Sequence, residues 1–215
     1  MPFSVDRITE QWGRPTSFHA APPERFEMFA GVVPDFLLEV WRELGFSGFR
    51  KGLFWICDPV VWQPTVDEWT PDLTLPFEET RWVAVSRTAF GRLVLWGERT
   101  GLSLTVVPYS GMIFPVDKSQ GMVDSFERDL QIITYFTAPL TDVLDPDGDD
   151  DRPLFKRVLK RLGPVDVDTM YGFVPASALG GAMLPENVEI VDAEVHLQIL
   201  SELTPRALMG SNPYL

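Results

Sequence analysis

The sequence predicts an α+β fold, with an antiparallel β-meander flanked by amphipathic helices and followed by a mainly helical C-terminal part with short strands. Strand-like runs lie at residues 81–87, 92–96, 102–107 and 112–114, and short Gly-containing turns separate them. Connections of this length join antiparallel strands. Apolar residues recur at helical spacing before and after this block, which favours α+β over an alternating α/β order.

Two amphipathic helices are predicted before the meander. The first runs from Pro34 to Gly45, where glycine suits a left-handed helix end. Its apolar stripe consists of Leu37, Val40, Trp41 and Leu44. The second follows a buried strand at residues 53–57, with Asp58 as its N-cap and Pro59 at the first helical position. Its predicted core-facing residues are Trp62, Val66 and Trp69.

The C-terminal part is predicted to hold three helices and two short strands. A helix begins near Asp124, which forms a capping pair with Glu127. Its predicted apolar stripe is Phe126, Leu130, Ile133 and Phe136. A helix at residues 153–162, strands at 170–175 and 188–191, and a last helix capped by Asp192 follow. The predicted inward side chains of that last helix are Val195, Ile199, Leu200 and Leu203.

Three segments carry no clear period. Residues 1–31 are expected to be an irregular lead-in with one short helix, because proline recurs there without sustained apolar spacing. Residues 46–52 are expected to form a loop. The tail after Pro205 is expected to be loose.

The formal charge of −13 is unevenly distributed. Residues 1–116 hold 14 acidic and 10 basic residues, whereas residues 117–215 hold 17 and 8, so −9 of the −13 lies in the second part. Such a surface repels nucleic acid and anionic membranes. It favours a basic protein as the partner.

The sequence lacks the usual signatures of catalysis and metal binding. It contains one cysteine, Cys57, and two histidines, His19 and His196, without zinc-ligand spacing, and no Gly-rich phosphate loop or nucleophile elbow. We therefore expect no catalytic activity, no cofactor and no metal, although acidic residues distant in the sequence can converge for hydrolysis. The N-terminus does not resemble a signal peptide, and Gly and Pro break the longest uncharged run, so a cytoplasmic protein is expected.

An acidic loop is the candidate partner-binding site. Its five aspartates are Asp145, Asp147, Asp149, Asp150 and Asp151. The first three match the early positions of a calcium loop, but Asp150 stands where glycine is needed and Lys156 where glutamate is needed. The loop is therefore interpreted either as a solvated acidic loop before a helix or as a surface for Lys and Arg of a basic protein.

Several motifs together resemble two known domains that follow each other. The part similar to a GAD-like domain comprises residues 34–46, 52–59, 68–69, 87–91, 95–98 and 100–101. The part similar to a type VI secretion immunity protein C-terminal domain comprises residues 162–163, 171–175, 179–181 and 196–197. The resemblance implies a GAD-like domain at residues 1–117 and an immunity-type domain at 122–207, packed as one compact unit.

The resemblance also implies a function: an immunity protein that binds and neutralises a co-encoded type VI secretion DNase toxin, without catalysis of its own. The expected partner is a cognate toxin effector, a basic nuclease, with no direct binding of nucleic acid or membrane. The matching residues are mostly core and turn residues, so the resemblance carries over no binding residue. Two alternatives stay open, a cytoplasmic protein-interaction or regulatory domain and an acid-dependent hydrolase.

Overall fold

The computed structural model describes residues 4–78, 80–138 and 143–210. The helices are α1 (Asp6–Trp12), α2 (Pro23–Phe29), α3 (Asp35–Leu44), α4 (Pro59–Trp69), α5 (Ser125–Thr137), α6 (Phe155–Leu162) and α7 (Ala193–Leu203). The strands are β1 (Gly48–Phe49), β2 (Phe54–Ile56), β3 (Trp82–Thr88), β4 (Leu93–Gly97), β5 (Gly101–Val107), β6 (Met112–Pro115), β7 (Thr169–Phe173), β8 (Val188–Asp192) and β9 (Ala207–Leu208). The predicted α+β class is confirmed.

A seven-stranded sheet forms the centre of the fold, in the order β1-β2-β3-β4-β5-β6-β9. All neighbours are antiparallel except β6 and β9, which pair in parallel with Met112 opposite Ala207. The predicted antiparallel meander is thus confirmed. Strands β7 and β8 form a separate antiparallel pair.

Helices cover both faces of the central sheet. Alternate side chains of β3 point to opposite faces, as strand geometry requires. Val83 and Val85 pack in one core with α1, α2, α3 and α5, whereas Trp82 and Ala84 pack in a second core with α4 and α7. A third core lies under α6 and the β7–β8 pair. The helix α7 therefore lies on the sheet face opposite to α3 and α5.

The predicted helix starts are confirmed. The carboxylate of Asp58 accepts a hydrogen bond from the Val60 N–H, that of Asp124 from the Glu127 N–H, and that of Asp192 from the Val195 N–H. Each bond satisfies one of the free donors of a first helical turn. These starts are local in sequence, which is why the sequence pattern locates them.

Three expectations about irregular segments were wrong. The lead-in contains two helices, α1 and α2, and residues 46–52 contain β1. The tail after Pro205 forms β9, where the Met209 N–H donates to the Ile113 carbonyl, whereas residues 211–215 lie outside the described residues. In each case contacts distant in sequence supply the order, such as the bond from the Trp12 indole N–H to the Phe136 carbonyl.

Two predicted apolar stripes were wrong in part. In α5, Phe126 is 57% exposed, and the buried residues are Ile132, Ile133 and Phe136. In α7, three of the four predicted inward residues face solvent: Val195, Ile199 and Leu203. The buried α7 residues are Ala193, Leu197 and Leu200. Apolar residues occupy two faces of α7, and the sheet covers one of them, which periodicity alone does not identify.

A buried arginine joins the sheet to the C-terminal part. Arg87 on β3 is 1% exposed, and its guanidinium lies 5.0 Å from the ring centroid of Trp55 and 5.1 Å from that of Trp62. It donates hydrogen bonds to the carbonyls of Asp166 (2.8 Å) and Val167 (3.0 Å). Burial lowers the pKa of Arg87 to about 10, so the group stays charged at neutral pH. The loop before β7 is thereby fixed to β3.

Replacing Arg87 with Met is expected to lower the free energy of unfolding by about 2–4 kcal/mol, measured by urea denaturation. The change removes both cation–π contacts and leaves two carbonyls without their donor. The matched control is Arg81→Met, because Arg81 is an exposed arginine over the ring of Phe29, and its loss is expected to cost less than about 1 kcal/mol. Equal stability of Arg87→Met and the wild type would contradict this account.

Candidate functional site

Three of the five aspartates in the acidic loop accept hydrogen bonds from other parts of the chain. The Asp145 carboxylate accepts from the N–H groups of Leu154 (3.0 Å) and Phe155 (2.6 Å), and so caps α6. Burial raises the pKa of Asp145. The Asp149 carboxylate accepts from the Met183 N–H at 2.9 Å, which ties the loop to the segment before β8.

Asp150 is neutralised inside the chain. Its two oxygens accept from Arg157 Nη1 at 2.7 Å and Nη2 at 3.0 Å, a bidentate pair, and Arg152 contacts the same carboxylate. The hydrogen bonds from Arg157 and then Arg152 lower the pKa of Asp150 to about 2. Its charge is therefore compensated, and it offers a partner little attraction.

The other two aspartates of the loop are exposed, as Asp149 is, but their side chains form no hydrogen bond within the described ranges. Asp147 and Asp151 are exposed, and neither forms an ion pair within the part of the chain that the structure describes. Asp151 has a φ of 55°, a left-handed conformation that Asp and Asn tolerate better than most residues. The prediction that the loop binds a partner thus rests on these two carboxylates, and it stays a prediction.

A second acidic surface lies on α7 and its neighbours. Residues 162–205 contain seven acidic residues and no Lys or Arg. Within this segment Glu194 and Glu202 are exposed on α7, and the half-buried Glu68 lies nearby on α4. Burial, and then the charges of Glu202 and Glu194, raise the pKa of Glu68. The fold thus places the carboxylates of Glu68, Glu194 and Glu202 near one another although they repel.

The same helix carries the apolar residues that the fold leaves uncovered. Val195 is 54% exposed, Ile199 46% and Leu203 43%. They follow at spacings of four residues and so line one face of the helix. We name this stripe, together with Glu68, Glu194 and Glu202, the α7 face.

The residues with catalytic potential have structural surroundings. Burial raises the pKa of the Cys57 thiol to about 12, which suppresses its thiolate form. His19 lies 3.6 Å from Asp166 and within hydrogen-bond distance of Ser17. His196 is half-buried beside Gly172, and burial lowers its pKa. Each of these side chains is accounted for by packing or by a local contact.

The described ranges were searched for metal-ligand clusters and for membrane-spanning helices. Among those residues, no group of three or more His, Cys, Asp or Glu side chains is arranged to hold a metal ion. Within the same ranges, no helix combines the length and apolar character needed to cross a bilayer.

A cavity of about 510 Å³ lies between α5 and the sheet. Part of its polar lining is engaged within the chain: the hydroxyls of Ser86 and Tyr135 lie 2.5 Å apart, and Arg92 donates to the Val143 carbonyl at 2.9 Å. The amide of Gln131 bonds to the Leu102 N–H and the Gly121 carbonyl. Because these groups bond within the chain, the exposed acidic surfaces are the better candidate site.

Sequence reasoning missed the α7 face for one reason. It assigned Val195, Ile199 and Leu203 to the core, which removed them from the list of surface residues. The signal that points to this face is the absence of Lys and Arg from residues 162–205, a 44-residue segment of a chain with 18 such residues.

Comparisons with known proteins match both parts of the chain. Residues 4–109 match the model of the GAD-like domain, and residues 132–204 match that of the T6SS immunity protein Tdi1, C-terminal. The crystal structure of Atu4351 from Agrobacterium tumefaciens has the same fold, with a TM-score of 0.85 and 20% sequence identity over 98% of this chain and 94% of that one. No curated protein matches the sequence.

The division of the acidic loop into structural and solvent-facing aspartates is testable by thermodynamics. Asp145→Ala is expected to lower the free energy of unfolding by about 1 kcal/mol, because the N–H groups of Leu154 and Phe155 at the start of α6 lose their acceptor. Asp147→Ala, in the same loop but exposed, is expected to change it by less than about 0.5 kcal/mol. Chemical denaturation measures both. Equal losses for the two variants would show that Asp145 has no special role.

Proposed function

Because the chain carries a GAD-like domain and a Tdi1 C-terminal domain, and so is a type VI secretion immunity protein, we propose that it neutralises a co-encoded DNase toxin in the cytoplasm by binding it. The observation that supports a nuclease as the toxin is the charge of residues 117–215, which contain 17 acidic and 8 basic residues. A nuclease needs a basic surface to hold the phosphates of DNA. An acidic inhibitor can occupy that surface.

The proposal assigns no catalysis to this chain. The single thiol is buried with a raised pKa, and both histidines are explained by packing or local contacts. Neutralisation then comes from the occupied surface alone. Each toxin molecule needs one molecule of the immunity protein for as long as it is inhibited.

The acidic loop contributes long-range attraction in this proposal. Asp147 and Asp151 carry charges that the described residues do not pair, and both face solvent. Attraction between exposed charges raises the association rate and is screened over about 8 Å at physiological ionic strength. It leaves the dissociation rate nearly unchanged.

The double variant Asp147→Asn/Asp151→Asn tests this contribution. We expect it to associate several-fold more slowly than the wild type at low salt, with a smaller difference at high salt and similar dissociation. Stopped-flow binding to a catalytically inactive form of the co-encoded toxin measures both rates. Asn keeps the backbone preference of Asp at position 151, so the loop conformation is retained.

The matched control removes two charges elsewhere. Glu39→Gln/Glu43→Gln changes two exposed carboxylates on α3, on the other face of the sheet from α7. Equal effects of the two double variants would assign the attraction to net charge rather than to the loop. Unchanged rates for the loop variant would remove the loop from the mechanism. If the wild type binds no co-encoded nuclease, the toxin assignment fails, and a general interaction domain takes its place.

A further inference from the structure

One face of α7 is packed against the protein core, but its apolar stripe is exposed to solvent. Ala193, Leu197 and Leu200 bury one face of α7 against the sheet and α4, and the Trp69 indole N–H donates to the Leu197 carbonyl at 3.2 Å. On the other side, Val195, Ile199 and Leu203 each expose more than two fifths of their surface. The helix position is therefore fixed by its buried face, and the exposed stripe is free for a partner.

Three carboxylates accompany this stripe. Glu194 and Glu202 lie on the same helix and Glu68 on α4, and none of the three forms an ion pair within the described ranges. The nearest basic residues along the chain are Arg161 and Arg206, and their guanidinium groups donate to the carbonyls of Val188 and Pro71. Burial raises the pKa of Glu68, and the charges of Glu202 and Glu194 add to this effect; cations from a partner would relieve that repulsion.

The charges decide which occupant fits. A second copy of this chain, docked through the same face, would bring these carboxylates against their own equivalents, which costs free energy. Anionic lipid and nucleic acid are repelled for the same reason. A protein surface that combines apolar side chains with Lys or Arg complements both features of the face.

We propose that the α7 face is the docking surface for a basic, partly apolar patch of the toxin, an inference that rests on the proposed function. Apolar side chains of the toxin pack on Val195, Ile199 and Leu203. Its Lys or Arg side chains pair with Glu68, Glu194 and Glu202. The stripe slows dissociation of the complex, because burial of apolar surface in the centre of an interface governs the dissociation rate. The carboxylates determine how strongly association depends on salt.

Two variants separate these contributions. Val195→Gln/Ile199→Gln removes the centre of the stripe with a residue that keeps helix propensity, and Glu194→Gln/Glu202→Gln removes the charges. The first is expected to raise the dissociation rate at least about tenfold, since one anchor residue of an interface contributes more than about 1 kcal/mol. The second is expected to slow association and to weaken its salt dependence.

The controls lie across the sheet. Val123 is 82% exposed next to α5, so Val123→Gln removes apolar surface of the same kind on the opposite face. For the charge pair, Glu39→Gln/Glu43→Gln on α3 is the control. Both controls are expected to keep the rates within about twofold of the wild type. Circular dichroism and thermal unfolding of every variant establish that the fold is retained.

Surface plasmon resonance with the immobilised, catalytically inactive co-encoded toxin measures these rates. Toxin binding by the wild type with unchanged rates for both α7 variants would overturn the docking surface and leave the proposed function standing. A wild type that binds no toxin overturns both. A concentration-dependent dimer of the wild type in sedimentation, abolished by Val195→Gln/Ile199→Gln, would assign the face to self-association and contradict the inference.

Discussion

The burial of one charged side chain constrains the arrangement of both parts of this protein. The Arg87 guanidinium lies over the rings of Trp55 and Trp62 and forms no ion pair among the described residues, so its donors need oxygen atoms held in place. The carbonyls of Asp166 and Val167 supply them. Those carbonyls belong to the C-terminal part, whereas the arginine and both tryptophans belong to the first. A buried guanidinium without these acceptors would cost several kcal/mol, about as much as the stability of many domains.

The position of the α7 face follows from that constraint. The loop held by Arg87 leads into β7, the β7–β8 pair leads into α7, and α7 packs against α4 through the bond from Trp69 to Leu197. Glu68 on α4 is thereby placed near the two glutamates of α7. Residues from both matched regions contribute to the face, so the candidate surface depends on their packing together.

The sequence predicts the local features of the fold well. Asp58, Asp124 and Asp192 each cap the predicted helix, because a cap needs only a carboxylate beside the first free N–H groups. The antiparallel meander follows from short turns for a similar reason. Features that depend on distant contacts were not predicted, among them β9 on the sheet edge and the burial of Arg87.

The candidate site also contains features that the sequence predicts and features that depend on distant contacts. The aspartates of the acidic loop were predicted as a group, but hydrogen bonds from Leu154, Met183 and Arg157 distinguish Asp145, Asp149 and Asp150 from Asp147 and Asp151. A sequence does not reveal these acceptor roles, because the three donors lie 9, 34 and 7 residues away. The exposed stripe of α7 was assigned to the core, since helical periodicity does not say which of two apolar faces the sheet covers.

Titration of the proposed target, a co-encoded nuclease, with this protein tests the central claim, neutralisation by binding, most directly. With the toxin well above the dissociation constant, DNase activity is predicted to fall linearly and to reach its baseline at one equivalent of immunity protein, independent of incubation time. Complete loss of activity at a small fraction of an equivalent, growing with time, would mean that the protein destroys or modifies the toxin catalytically, and would contradict this account.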